Sequence, residues 1–431
     1  MSIPLNGRIA IIENELKEAL PLMKAFSKNQ IPYVFYKGDD LTYLPNENSR
    51  FNDIRILFLD LNLIDKAKPS AKQVKSVLFG VLKKVISKDN YPYSIIYWSK
   101  QENDYSKTLK ELFDKELKDR APISIERFIK SSFFTLSGEE IKNNLDLFTE
   151  IQKVLAKDPV YWYLLNWENN IHLSADKTLQ EIFSSYHNFD NWSHNANHLV
   201  NKLGVSYIGR DTYNTSKPDI KLKSSYSALN IVFTDTVENY TSNTDLNDIK
   251  ELPVPKSAKN LDTVYNINKK LLISNEKEPL SYSGTVIEIF DKKLKPKFEQ
   301  LLDNILQKKA KKPDITKTWK NIWLNVTPLC DTVQGKFIHH RMISGLLVEE
   351  EFCRSSAKIF YKNEAVFISP SFAYDGKNYS IVLDFKEFFT KDTLGYSKNR
   401  KAIFRIRQQL LAEVQSRLAR HVNRQGVLFL D

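Results

Sequence analysis

Cysteine is scarce in this chain: Cys330 and Cys353 are the only two in 431 residues. Two thiols cannot build the disulfide framework of a small secreted fold, so a reducing compartment, the cytoplasm, is expected. Glycine (12) and proline (16) are also few, which excludes collagen-like and long low-complexity architectures. No stretch of about 18 apolar residues occurs, so no membrane-spanning helix is expected. The opening MSIPLNGRIAIIENE has neither a basic n-region nor a cleavable apolar segment, and no signal peptide is read there. P-loop, GxSxG, HExxH and catalytic Cys/His signatures are all missing, which removes the common NTPase, hydrolase and zinc-protease motifs. No internal repeat of fixed period is visible.

What is present is a long, ordinary, aromatic-rich composition. At this length one compact core is too small, and roughly two or three domains are expected. Apolar residues make up 42% and charged residues 27%, with 25 Phe, 20 Tyr and 6 Trp to fill the cores. The net charge of +11, from 63 Lys+Arg against 52 Asp+Glu, suits polyanion contact and equally a lysine-rich solvated surface. Basic stretches lie at 397–424, 308–312 and 217–223.

Apolar runs alternate with amphipathic patterns over the first 135 residues. Residues 8–12 (RIAII), 33–36, 55–59 (RILFL), 93–98 (YSIIYW) and 123–129 read as strands. Residues 15–27, 71–87 and 105–117 carry apolar side chains at helical spacing. Five strands interleaved with helices predict a doubly wound parallel sheet. Beyond it the pattern turns helical over 136–241. A capping box at 137–140 is expected to open a first helix, with others at 178–186, 192–203 and 225–237. Residues 242–263 are polar, hold two prolines, and read as a linker. From 264 to 431 strands dominate: 271–274, 285–290, 319–326, 337–348, 358–361, 365–370 and 379–385. They predict a barrel-like, mainly β domain. One helix is expected near 298–307 and another closes the chain over 400–422. Asp375-Gly376 between two alternating runs is a hairpin signal.

Ligands of a doubly wound sheet collect outside the carboxyl ends of its strands. There the sequence puts Glu13, Asn14 and Glu15 after the first strand, Asp60 and Asn62 after the third, Ser99 and Lys100 after the fourth, and Lys130 and Ser131 after the fifth. Carboxylates so placed suit a hard divalent cation. An ammonium and a hydroxyl suit the oxygens of a phosphoryl group.

The run RIAIIENE, RILFLDLNL, SIIYWSK, RFIKSS resembles the strand signatures of two-component receiver domains, over the first third of the chain, and implies the strand order 2-1-3-4-5. The resemblance implies Asp60 as phospho-acceptor, a carboxylate nucleophile that forms an acyl phosphate. It implies Glu13, Asp60 and the Asn62 backbone carbonyl as Mg²⁺ ligands, with Asn14 as a weak fourth. Ser99 matches the switch hydroxyl, Lys130 the lysine that pairs with the phosphoryl group, and Phe128 the aromatic that follows the hydroxyl inward. The sequence departs from the family where Glu13-Asn14 replaces an Asp-Asp pair, where no proline follows Lys130, and where DLNLIDKAKPS lacks a Pro-Gly turn. Two readings stay open: phosphorylation at Asp60, or a pseudo-receiver that uses the same face for binding.

No helix-turn-helix output unit follows. The whole arrangement, through WLNVTPLCDTVQGK and ARHVNRQG, resembles receivers encoded in bacterial conflict or phage-defence operons. That implies a histidine-kinase-like ATPase or another phosphodonor as partner, and a signalling adaptor rather than an enzyme. Two other residue sets carry chemistry. Asp375, Asp384 and Lys386 resemble the acid, acid-x-lysine core of Mg²⁺-dependent nucleases. Cys330, His339 or His340, and Cys353 are candidate zinc ligands without a CxxC pair. The closing helix has an apolar stripe with arginines scattered over its other faces, which favours packing over nucleic-acid binding.

Overall fold

The computed structural model describes residues 3–47, 49, 53–61, 63, 70–88, 90–99, 106–135, 138–141, 146–184, 191–244, 252, 261–274, 280–290, 319–334, 339–352, 365–392 and 399–423. Two compact units divide the chain: residues 1–207 with 221–254, and residues 208–220 with 255–431.

The first unit is built on five parallel strands. These are β1 (Ile9–Glu13), β2 (Val34–Lys37), β3 (Ile56–Leu59), β4 (Ser94–Ser99) and β5 (Ser124–Ile129), in spatial order 2-1-3-4-5 as the resemblance implies. Ile9–Ile12 and Ile56–Leu59 are buried along their whole length, because helices cover both faces of the sheet and both side-chain parities need apolar residues. On one face pack α2 (Ala71–Val85) and α3 (Ser106–Lys115), through Val74, Leu78, Val81, Leu109 and Leu112. A capping box of Ser70 and Gln73 starts α2. On the other face α1 (Leu16–Lys28) lies with a short α4 (Lys130–Phe133), α5 (Leu147–Leu155) and the start of α6 (Pro159–Ser184).

The helix expected to open at 137–140 opens instead at Leu147. Gly138 has φ +82° and Glu140 bridges to Phe134 as a strand partner, both incompatible with a helix. Asp146 caps α5 instead, its Oδ2 accepting from the Thr149 N–H at 2.8 Å. Far longer than the expected 178–186, α6 is fixed to the sheet by ions at the amino ends of the strands. The Glu168 carboxylate takes Arg55 Nε (2.8 Å), Arg55 Nη2 (3.2 Å) and Arg8 Nε (3.2 Å). Tyr161 donates its hydroxyl to the Arg55 carbonyl at 2.8 Å. Next come α7 (Trp192–Ile208), α8 (Arg210–Thr215) and α9 (Pro218–Ser242).

The second unit is an antiparallel half-barrel with one long sheet. After α10 (Leu261–Leu272) come β6 (Ile273–Ser274), β7 (Thr285–Ile289), β8 (Lys320–Asn325), α11 (Leu329–Gln334), β9 (His340–Glu349), β10 (Val366–Ile368), β11 (Phe372–Tyr374), β12 (Lys377–Lys391) and β13 (Arg400–Ile406). Its order is β10-β12-β9-β8-β7-β13-β6, with β11 paired to β12. Strand 271–274 is thus reduced to two residues, because the helix α10 runs on to Leu272. The Asp-Gly hairpin is present: Tyr374 pairs with Lys377, and Asp375 (φ 50°) and Gly376 (φ 75°) form the two-residue turn. The closing helix is shorter than expected. Residues 400–406 alternate and form β13, and only Gln408–Val422 is helical, here α12. The expected elements at 298–307 and 358–361 lie outside the described residues. No described helix is long and apolar enough to cross a membrane.

Candidate functional site

Parallel strands end on one edge of their sheet, so the termini of β1, β3 and β5 bring their following residues to the same side. Glu13 closes β1, Asp60 follows β3 directly, and Lys130 opens α4 straight after β5. The Asp60 N–H extends the ladder by donating to the Ile12 carbonyl at 2.9 Å, which fixes the carboxylate's origin beside β1. Strand β4 separates β5 from β3, a gap of about 10 Å at normal strand spacing. Lys130 from one side and the carboxylate side chains from the other close it together. Lys130 Nζ stands 2.7 Å from Glu13 Oε2 and 3.2 Å from Asp60 Oδ2.

A third carboxylate joins them. Glu18 Oε2 lies 3.6 Å from the same ammonium. No motif in the sequence marks Glu18, although its place in the first turn of the helix after β1 puts it at this edge.

Burial makes the cluster unusual. Glu13 is 2% exposed and Lys130 8%. The Glu13 carboxyl is pushed up to about 8, first by burial and then by the Asp60 charge, against the pull of Lys130. Burial works against the Lys130 ammonium, yet Asp60 and Glu13 outweigh it and hold its pKa above the ordinary value. The other Glu13 oxygen, Oε1, accepts the backbone N–H groups of Asn14 (3.1 Å) and Glu15 (3.4 Å). Asn14 thus enters the cluster through its backbone. Burial and the neighbouring Asp60 together outweigh the pull of the one ammonium on Glu13.

An aromatic column positions Lys130. Phe133, in the same short helix, stacks on Phe128 (5.2 Å) and on Trp98 (5.9 Å), and Trp98 meets Phe58 edge-on at 6.0 Å. Phe128 is therefore buried on the α1 side of the sheet. Ser99 ends β4 opposite Ile129. Its side chain, Lys100 and Asn62 lie outside the described residues.

Hard carboxylate oxygens and an unbalanced negative charge fit a divalent cation of the Mg²⁺ kind, with Glu13 and Asp60 as the residues that would hold it. Lys130 now stands between them, so it would give up its contact with Glu13. Among the described residues, no group of three or more His, Cys, Asp or Glu side chains is already arranged around a metal position.

The structure does not bring together the nuclease-like set. Asp375 sits at the tip of the β11–β12 turn, whereas Asp384 is seven residues along β12 from Lys377, about 23 Å at the usual rise. An extended strand cannot fold that distance away. Asp384 instead accepts the Lys386 backbone N–H at 3.0 Å, and burial pushes its carboxyl up. Of the candidate zinc ligands, His339 Nδ1 is engaged by Asp392 Oδ1 at 2.7 Å, and His340 is buried in β9. Cys353 and the Cys330 side chain lie outside the described residues.

The fold and the edge cluster define a doubly wound α/β domain with a carboxylate–ammonium centre at the carboxyl ends of its strands. Compared with family models, curated proteins and solved structures, the chain matches none.

Proposed function

We propose that this protein is a signalling receiver, with Asp60 either accepting a phosphoryl group in the presence of Mg²⁺ or serving as a fixed binding face that mimics that state. The observation that carries the reading is the reach of Lys130 from β5 to both Glu13 and Asp60 at the ligand edge of a 2-1-3-4-5 sheet.

In the phospho-accepting form, an Asp60 carboxylate oxygen attacks the phosphorus of a donor. A carboxylate–phosphorus bond forms, and the donor's bond to phosphorus breaks with its electron pair. Mg²⁺ bound at the carboxylates would offset the repulsion between the acid and the incoming phosphoryl oxygens. Lys130 is placed to pair with one of those oxygens, and Ser99 ends the strand from which a hydroxyl would turn toward another. Phosphodonors of the histidine-kinase-like ATPase class are the fitting partner, and the output is a changed contact through α3, β4 and β5.

Incubation with Mg²⁺ and a small phosphodonor such as acetyl phosphate tests this. An acyl phosphate stable in acid and labile to hydroxylamine is expected, and it is lost in Asp60→Asn. No adduct with any donor, together with no Mg²⁺-dependent change in Trp98 fluorescence, rules out the phospho-accepting form.

A further inference from the structure

The helices that follow the parallel sheet are tied to one another through small polar residues. Thr178 of α6 donates its hydroxyl to Thr236 of α9 at 3.1 Å, and Asn170 of α6 donates to the Thr244 hydroxyl at 2.7 Å. Rising numbers in α6 meet falling numbers in α9, so the two helices run antiparallel. On α7, the Val200 carbonyl accepts the Ser225 hydroxyl at 2.8 Å. The buried positions of α9 are Ser224, Ser225, Ala228 and Thr236, none of them large.

The large apolar side chains of α9 form a separate stripe. Leu222, Tyr226, Leu229, Phe233 and Val237 follow one another at steps of three and four residues. At 3.6 residues per turn they fall within about 80° of the helix circumference, roughly a third of a turn from the buried small residues. Leu222 is 57% exposed and Tyr226 67%, while Leu229, Phe233 and Val237 are only half-buried. An apolar stripe at this spacing is the surface one helix presents to another.

Two features of the stripe identify its occupant. It reads the same from either end: aliphatic, aromatic, aliphatic, aromatic, aliphatic. The charges of α9 also change sign along its length, and none falls on a stripe position. Asp219, Lys221 and Lys223 give +1 in the first half, and Asp235 and Glu238 give −2 in the second.

We propose that α9 pairs antiparallel with α9 of a second copy of this chain, its apolar stripe forming the seam. A two-fold axis between residues 229 and 230 sets Leu222 against the partner's Val237 and Tyr226 against the partner's Phe233, with the two Leu229 side chains meeting at the centre. Such an interface is self-complementary, as a two-fold requires. The antiparallel arrangement brings the lysine end of one helix alongside the acidic end of the other and opposes the two helix dipoles, whereas a parallel pair would set like beside like. A membrane surface fits less well, because interfacial helices carry a polar face rich in Lys and Arg and α9 has two lysines in all.

Sedimentation equilibrium of the full-length protein tests the pairing. A concentration-dependent dimer is expected. Because its seam is apolar, it should persist from about 0.1 to 1 M salt, where exposed charge pairs are screened. Tyr226→Glu with Phe233→Glu should raise the dissociation constant at least about tenfold, since the seam would have to bury the added carboxylates. Tyr43→Glu with Val422→Glu, at exposed positions off α9, adds the same charge and should leave association unchanged. Thermal melting establishes that both variants are folded, and Leu222→Glu, at an exposed stripe position, serves if the first pair proves unstable. Orientation is read with a short bis-maleimide and mass spectrometry of the joined peptides. Leu222→Cys chains should be joined to Val237→Cys chains in a mixture, and neither to itself, because positions 222 and 237 lie about 22 Å apart along the helix. A monomer at every concentration, a dimer that Tyr226→Glu with Phe233→Glu leaves intact, equal weakening by the two double variants, or joining of Leu222→Cys to itself overturns the proposal.

Discussion

Glu13 is where burial and charge pull against each other most directly, and its titration has a sign that stability measurements can read. Its carboxyl, ordinarily near 4.5, is raised to about 8, so the folded protein holds this proton more tightly than the unfolded chain. Stability from this group is therefore present below pH 4.5 and is lost as pH rises toward 8, by at most about 1.4 kcal/mol per pH unit. In EDTA, urea titrations of the wild type and Glu13→Gln should diverge over that window, with the wild type losing stability relative to the variant as pH rises. Parallel curves would show that Lys130 neutralises Glu13 fully. Lys130→Met should cost about 3 kcal/mol at pH 8, where the buried Glu13 and the partly buried Asp60 lose their shared counter-ion. The cost should shrink at pH 5, where Glu13 takes up a proton, and an equal loss at both pH values would sink that account.

Elements differ in how they tolerate change, and two glycines make the contrast. Gly376 needs its left-handed φ of 75° in the hairpin turn but has open space around it. Gly376→Ala should therefore cost only about 1 kcal/mol, as backbone strain. Gly345, in β9, lies against the Val382 carbonyl oxygen and Leu383 of β12, where a Cβ has no room. Gly345→Ala should cost about 1–3 kcal/mol and broaden the unfolding of the antiparallel unit. Differential scanning calorimetry distinguishes the two, and an equal small effect would mean that β12 shifts freely. Neither contrast was legible in the sequence, because a close approach between strands depends on register. What was legible follows from local pattern. The buried strands β1, β3 and β4 are continuous apolar runs, and Asp375-Gly376 has one favoured backbone shape. The carboxyl-edge rule, applied to the predicted strand ends, then put Glu13, Asp60 and Lys130 on one side of the sheet. Residues 400–406 were misread as helix because Ile403 and Ile406 also fit a three-residue step, while tertiary pairing of β13 with β7 decides for strand. Most of α6 was missed because Tyr163, Leu164 and Trp167 leave large apolar side chains exposed and blur its periodicity.

At the scale of the whole molecule, the sequence pattern separates an α/β segment at residue 135 from a helical one, yet a single core crosses that line. Leu147, Phe148, Ile151, Val154 and Leu155 of α5, with Tyr161, Trp162 and Leu165 of α6, are packed in one cluster with Ile9, Ile11, Phe26, Phe58 and Trp98. Asn169 of α6 adds polar ties to the amino terminus, donating to the Ile3 carbonyl at 3.0 Å and accepting the Leu5 N–H at 3.2 Å. Burying an apolar side chain of this size contributes about 1.5–3 kcal/mol. Eight such side chains together contribute about 12–24 kcal/mol before chain entropy is subtracted, a term as large as the roughly 5–15 kcal/mol by which a domain is stable. A fragment ending at 135 should accordingly fail to fold: weak near-ultraviolet dichroism, dye binding to exposed apolar surface, and no cooperative urea transition. Extending the fragment to 184 restores α5, α6 and the Glu168 carboxylate that holds Arg8 and Arg55, and should restore a cooperative transition. Glu168→Ala in the full-length protein should then lower stability by about 2 kcal/mol, because two half-buried guanidinium groups lose one of the two carboxylates they share and keep only Asp53. A cooperatively folded 1–135 fragment would show that the α1 face of the sheet needs no cover from α5 and α6, and that the helices after residue 135 fold on a core already complete.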